Sequence, residues 1–238
     1  MTRGPSAPPQ VHMMSLLLAI DTATRAASLA LHDGARVRVE ISWESQDYHT
    51  VELTPRIAGM LAQLEATVDD LAGIAVSLGP GSFTGLRVGV AAAKGLAMSR
   101  GLKLVGVPTL DILAQAMNDS PSPVVTVLAA GRGRLCAAKY RLSKLGMIAE
   151  GPAWLTTARD LGADWQETTR VCGELSAEER QQVQKRLGKR VELASPAASL
   201  RRAGFLAELG WARLDSGQSD DPATLAPIYI QTPFGGPA

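Results

Sequence analysis

Between an apolar run at residues 73–78 and a helix-like run that begins near Thr84, the chain reads Gly79-Pro80-Gly81-Ser82-Phe83-Thr84-Gly85. Glycine admits backbone conformations and close approaches that a side chain forbids. The segment is therefore expected to be a tight strand-to-helix corner, with Ser82 or Thr84 as the helix N-cap. Such a corner sets fresh helix N–H groups beside two hydroxyls, a combination that suits an anion. The spacing nonetheless excludes two phosphate loops. A GxxxxGK[ST] loop needs four residues between its glycines and then a Lys. Here five residues separate Gly79 from Gly85, and Leu86-Arg87 follows. A GxGxxG loop fails as well, because three residues, not two, lie between Gly81 and Gly85.

The surrounding pattern is that of an α/β protein. Short apolar runs at 16–20 and 27–31 and the alternating stretch 36–41 read as three strands of an antiparallel meander. Leu53, Ile57, Leu61, Leu64 and Val68 recur at helical spacing and give one apolar stripe. Residues 73–78 form a buried-type strand that feeds the glycine corner. In the helix expected at 84–100, Gly85, Gly89, Ala93 and Ala97 form a smooth face for a closely packed neighbour, read first as the chain's own sheet. A strand at 103–107 completes the order β-β-β-α-β-α-β. After Pro108 come a helix at 109–117, a break at Pro121 and Pro123, and strands at 124–130 and 135–141. Helices follow at 177–187 and at 197–214, the latter capped by Ser195 or Ser199. The expected organisation is a disordered leader at 1–14, a first lobe at 15–108 and a second lobe at 109–238. The last helix is expected to pack back on the first lobe. No internal repeat is visible.

Composition narrows the function classes. With 24 basic and 23 acidic residues among 238, the net charge of +1 argues against strong independent nucleic-acid binding. The mild clusters Arg132, Arg134, Lys139, Arg141, Lys144 and Lys185, Arg186, Lys189, Arg190 read as solvated surface. Two cysteines, Cys136 and Cys172, make no disulfide framework. No apolar run reaches the ~18 residues of a membrane span. The scattered histidines His12, His32 and His49 suggest no zinc-like cluster, and the His49/Glu52 pair has no third ligand nearby. No GxSxG elbow occurs. Asp21-Thr22, at the end of the first strand, has two readings: a holder of metal or water near a phosphate, or an Asx or Ser/Thr turn closing a hairpin.

Leu18-Ala19-Ile20-Asp21-Thr22-Ala23-Thr24, taken with Gly79 through Gly89, closely resembles the TsaB family, also called YeaZ. The likeness extends through Val107-Pro108-Thr109-Leu110 to Pro227-Ile228-Tyr229-Ile230. It is weakest at 128–136, where Ala129-Ala130-Gly131-Arg132-Gly133-Arg134 lacks the family's acidic residues. The resemblance implies the two-lobed actin/Hsp70/sugar-kinase-like (ASKHA) fold, with β-β-β-α-β-α-β lobes. Family members partner TsaD, which transfers a threonylcarbamoyl group to adenosine beside the tRNA anticodon, while the ATPase TsaE supports turnover. TsaD's metal-holding His-x-x-x-His falls at Thr109 and Leu113 here, so a TsaD-like site is expected to be absent. The implied role is a non-catalytic cytoplasmic partner with no cofactor and no metal, meeting tRNA only through the complex. Asp21, Thr22, Gly79, Gly81, Ser82, Thr84 and Gly85 then form a vestigial nucleotide-like loop. The expected interface is Leu53, Ile57, Met60 and Leu61 on the first helix, with Val88, Ala92 and Leu96 on the second. The same stripe would allow a homodimer when the chain is alone. Two other readings remain open: an active ATPase, kinase or metallopeptidase-like enzyme of this fold, and a tRNA-binding module using the 132–144 cluster.

Overall fold

The computed structural model describes residues 15–46, 49–144 and 146–230. The expected leader, with His12, lies outside these residues. The first half forms β1 (Leu16–Asp21), β2 (Ala26–His32), β3 (Val37–Glu44), α1 (His49–Gln63), β4 (Leu71–Gly79), α2 (Phe83–Arg100) and β5 (Lys103–Pro108). Its sheet runs β3-β2-β1-β4-β5. The three-strand meander is antiparallel, and β1, β4 and β5 are parallel. Every residue of β1 is buried, because the sheet is covered on both faces. Leu16, Leu18 and Ile20 meet α1 and α2, while Leu17 and Ala19 meet a helix from the far end of the chain.

The second half contains α3 (Thr109–Gln115), β6 (Val124–Ala129), β7 (Leu135–Ser143), β8 (Gly146–Ala149), β9 (Trp154–Thr156), β10 (Thr169–Gly173), α4 (Ala177–Leu187), β11 (Val191–Leu193) and α5 (Ala203–Asp215). Its sheet runs β11-β10-β6-β7-β8, with β9 paired to β7. Parallel β6, β10 and β11 stand where β1, β4 and β5 stand in the first half, and antiparallel β7 and β8 match β2 and β3. Two mixed sheets of one topology, each with helices on both faces, make up the two-lobed actin/Hsp70/sugar-kinase-like fold. One departure is local. Among the described residues the second half has no helix matching α1, and hydrogen-bonded turns at 157–165 take its place.

Helix α5 packs on the first sheet, through Ala203, Leu206 and Ala207, on the face opposite α1 and α2. It begins at Ala203, six residues later than the sequence pattern suggests, and neither serine caps it. Ser195 Oγ instead accepts from the amide of Ala198 at 3.2 Å, in a separate turn. The delay leaves residues 195–202 as a non-helical crossover between the lobes, and Arg201 lies in it. The other crossover is Pro108–Thr109, where β5 passes directly into α3.

Candidate functional site

Asp21 ends β1 with its carboxylate fully buried. Oδ1 accepts from the amide of Ala23 at 3.0 Å and from Ser77 Oγ at 2.8 Å. Oδ2 accepts from Nε of Arg201, whose guanidinium is also buried. The Ala23 contact is an Asx turn, so the turn reading of Asp21 holds, although Arg201 adds a partner that no local pattern announces. Burial works against the Arg201 charge, and Asp21 and Glu174 outweigh it, so the group stays protonated. Its other donors reach Glu174 Oε1 at 3.0 Å, Thr24 Oγ1 at 3.0 Å and the Ala26 carbonyl at 2.8 Å.

A divalent cation bridging carboxylate and phosphate needs several oxygen ligands around one open position. Here the carboxylate that would supply them already holds a fixed guanidinium charge. Among the described residues, no group of three or more His, Cys, Asp or Glu could hold a metal ion. Asp21 and its neighbours therefore do not fit the metal ion that the fold class implies beside a nucleotide. Thr109 and Leu113, the positions where the resemblance places TsaD's histidine pair, are both buried. Thr109 Oγ1 accepts from the amide of Gly79 at 2.9 Å. Asp111, between them, accepts from the Tyr140 hydroxyl at 2.6 Å, and burial raises its carboxyl pKa.

The glycine corner is filled by the chain itself. Ser82 caps α2 by accepting from the amide of Gly85 at 3.3 Å, and its own amide donates to the Ala23 carbonyl at 2.6 Å. A Cβ on Gly81 would stand 2.3 Å from that carbonyl oxygen. One on Gly79, whose φ is +121°, would stand 2.3 Å from the carbonyl oxygen of Ile228. Thr22 Oγ1 donates to the Gly85 carbonyl at 2.7 Å and would lie 2.3 Å from a Cβ on Gly89. Gly85, Gly89, Ala93 and Ala97 are all buried, so the smooth face of α2 packs inward. Thr84, in the first turn, is exposed. Between the corner and the second lobe lies a cleft of about 860 Å³, lined by Trp43, Ser82, Arg134, Glu174 and Tyr229 among others.

The expected partner surface requires a correction. Leu53, Ile57, Met60 and Leu61 are buried in the first lobe's own core, beneath α1. Val88, Ala92 and Leu96 are half-buried, with Val88 and Ala92 lining a groove between α1 and α2. The outward faces are different residues. On α1 they include Val51, Pro55, Ala58, Gly59 and Ala62, with polar Thr50, Thr54 and Gln63; on α2 they include Ala91, Gly95 and Met98. Val51 and Met98 are each 68% exposed, and exposed Arg87 and Arg100 bracket the α2 residues. A Cβ on Gly59 or on Gly95 would meet nothing within 4 Å. Sequence reading missed this face because an apolar stripe at helical spacing reports what the fold covers first.

Several basic residues of the clusters are engaged locally. Lys139 and Arg141 pair with Glu150, whose pKa the Arg141 hydrogen bond lowers against a smaller effect of burial. Arg190 donates to the Trp165 carbonyl at 3.3 Å, and Arg186 to that of Leu161. Glu52 accepts from Trp43 Nε1 at 2.9 Å, and the His49 side chain lies outside the described residues. No helix among the described residues is long and apolar enough to cross a membrane.

The family model described as "TsaD: tRNA N6-adenosine threonylcarbamoyltransferase" matches residues 43–203, well over half of the chain. The tRNA threonylcarbamoyladenosine biosynthesis protein TsaB of Escherichia coli K12 is 33% identical over 133 residues. That match takes in 55% of this chain and 57% of the relative, so it spans little more than half of that protein's length. An uncharacterized protein of Mycobacterium tuberculosis is 32% identical over 94% of this chain and 95% of its own. The solved structure of YeaZ from Pseudomonas aeruginosa superposes with a TM-score of 0.74 at 23% identity, over 91% of this chain and 100% of that one. With the glycine corner and the Asp21 strand end in place, the chain belongs to the TsaB/YeaZ family, within the wider family of the threonylcarbamoyltransferase model.

Proposed function

We propose that this chain is a non-catalytic dimerisation and scaffold subunit. It supports a TsaD-type enzyme in forming threonylcarbamoyladenosine next to the tRNA anticodon, in the cytoplasm. The carrying observation is the patch of small and apolar residues on the outer faces of α1 and α2, bracketed by Arg87 and Arg100, with Gly59 and Gly95 facing open space. Gly within a helix costs about 1 kcal/mol relative to Ala. Nothing inside the chain requires that cost at either position. A partner helix lying close across Val51, Ala58, Gly59, Ala91 and Gly95 would require it, because only small residues let two helix backbones approach. The groove residues Val88 and Ala92 belong to the same surface. Without a TsaD-type subunit this face would serve a homodimer. A TsaE-like ATPase and tRNA would meet the chain only within the larger complex.

The interlobe cleft favours a second reading, a nucleotide-dependent enzyme of the same fold. Against it stand the Asp21–Arg201 pair and the buried Thr109 and Leu113. Calorimetric titration with Mg–ATP separates the two readings, since micromolar binding by the isolated chain would favour the enzyme.

The docking reading is tested by co-purification with a TsaD-type subunit, using Gly95→Leu and Ala58→Glu. Neither substitution meets the chain's own core, so melting temperatures are expected to stay within a few degrees of wild type. The complex should be lost. Undiminished complex formation by both folded variants would sink the assignment of this face.

A further inference from the structure

We propose that Arg201 pins the two lobes at a fixed angle. It supplies from the chain itself the positive charge that bridges the interlobe cleft. Its partners divide by lobe. Asp21, Thr24 and Ala26 belong to the first sheet and its turn, and Glu174 follows β10 of the second sheet. Glu174 is a crossing point in its own right. Oε1 also accepts from Thr24 Oγ1 at 2.6 Å, and the Glu174 amide donates to the Val127 carbonyl at 2.9 Å, fixing it to the second sheet. A guanidinium is rigid and planar and offers five donors, so it holds several acceptors in one geometry. Here four are used on three sides, and hydrogen bonds made by ions are the strong ones.

The position of Arg201 in the chain makes the pin effective. It sits in the 195–202 crossover, one residue before Arg202, which donates to Glu40 on β3. The other crossover is held by Thr109 Oγ1 accepting from Gly79. These two crossovers are therefore fastened at buried polar contacts. The ion pair is also sealed: Asp21 is 0% and Arg201 2% exposed, so water does not compete for either group. The spanning cation is covalently part of the protein, and the lobe angle needs no ligand.

The test measures the interlobe distance distribution in the isolated full chain, so it does not depend on the docking reading. Spin labels are placed at Ser42→Cys on β3 and Gln181→Cys on α4, both exposed. The buried native Cys136 and Cys172 should stay unlabelled. Glu174→Ala cuts the second-lobe grip of Arg201 together with the Thr24–Glu174 bond and leaves Asp21–Arg201 intact, so the fold should survive. The double variant Asp21→Asn/Arg201→Met removes both buried charges together. The expected result is a narrow distribution in the parent and one at least twice as wide in Glu174→Ala and in the double variant. Arg170→Ala, which breaks a surface pair with Glu192 inside the second lobe, should leave the width unchanged. A Glu174→Ala distribution as narrow as the parent's would overturn the pin, and so would equal broadening in Arg170→Ala.

Discussion

At the scale of single residues, the two cysteines show how burial sets chemistry. Cys136 lies on β7 and Cys172 on β10, each flanking β6 on one side, and neither is paired. Burial pushes both thiols up to about 12. A thiol with a raised pKa keeps its proton in the folded state when the unfolded chain has already lost it. The unfolded state then binds fewer protons, and stability falls as pH rises. The contribution is fully present below about 9, the ordinary value, and is lost as pH climbs toward about 12. The native protein should resist a thiol reagent at pH 8 and react with two equivalents in denaturant. Denaturant midpoints should decline from pH 9 to 11, and more weakly in Cys136→Ala/Cys172→Ala. Prompt native labelling of either thiol would contradict the burial argument. Other residues were less legible. Arg201 sits in a Ser/Ala/Arg-containing stretch with no motif around it, and its partners are 27 and 180 positions away in sequence. No local pattern marks an arginine that will be buried by contacts so distant.

At the scale of elements, α2 shows which glycines serve the chain's own packing and which serve its surface. Gly89 faces Thr22, and an added Cβ would stand 2.3 Å from a hydroxyl that bonds the Gly85 carbonyl. Gly89→Ala is expected to cost about 1–3 kcal/mol, by crowding and by loss of that bond. Gly95, further along α2 and outward, meets nothing within 4 Å, so Gly95→Ala should stabilise by up to about 1 kcal/mol. That corresponds to a melting temperature higher by about 2–4 °C. Thermal denaturation of the two variants gives opposite signs, and equal signs would refute the assignment of inward and outward faces. The Gly85/Gly89/Ala93/Ala97 face was readable because its four-residue period has one structural meaning. The short strands β8, β9 and β11 were not. They are three or four residues long and partly exposed, too short to show a period of two. The start of α5 was misplaced for a related reason: small residues at 197–199 continue a helical composition into a segment that turns instead.

At the scale of the whole molecule, the two sheets share one topology although no repeat shows in the sequence. Strand order and direction need only matched lengths and two covered faces, which unrelated apolar residues provide. The chain ends by binding this architecture together. Asp220 bridges to the β5 edge, its amide donating to the Leu104 carbonyl at 2.7 Å and its Oδ2 accepting from the Gly106 amide at 2.7 Å. Lys94 Nζ then holds the Leu225 carbonyl at 3.1 Å, and the Ile228 amide donates to the Leu78 carbonyl at 2.7 Å. Leu225 packs on the first core and Ile230 on a second-lobe core, so the strap touches both lobes. It also explains why position 79 is glycine, since the Ile228 carbonyl passes over it. An uncovered edge strand is a template for pairing with another chain. Removal of residues 219–238 should therefore lower the melting temperature and make the protein self-associate as concentration rises. Light scattering and thermal denaturation check both outcomes. A truncated chain that associates no further than the full-length protein and melts with it would mean that the strap only decorates the β5 edge.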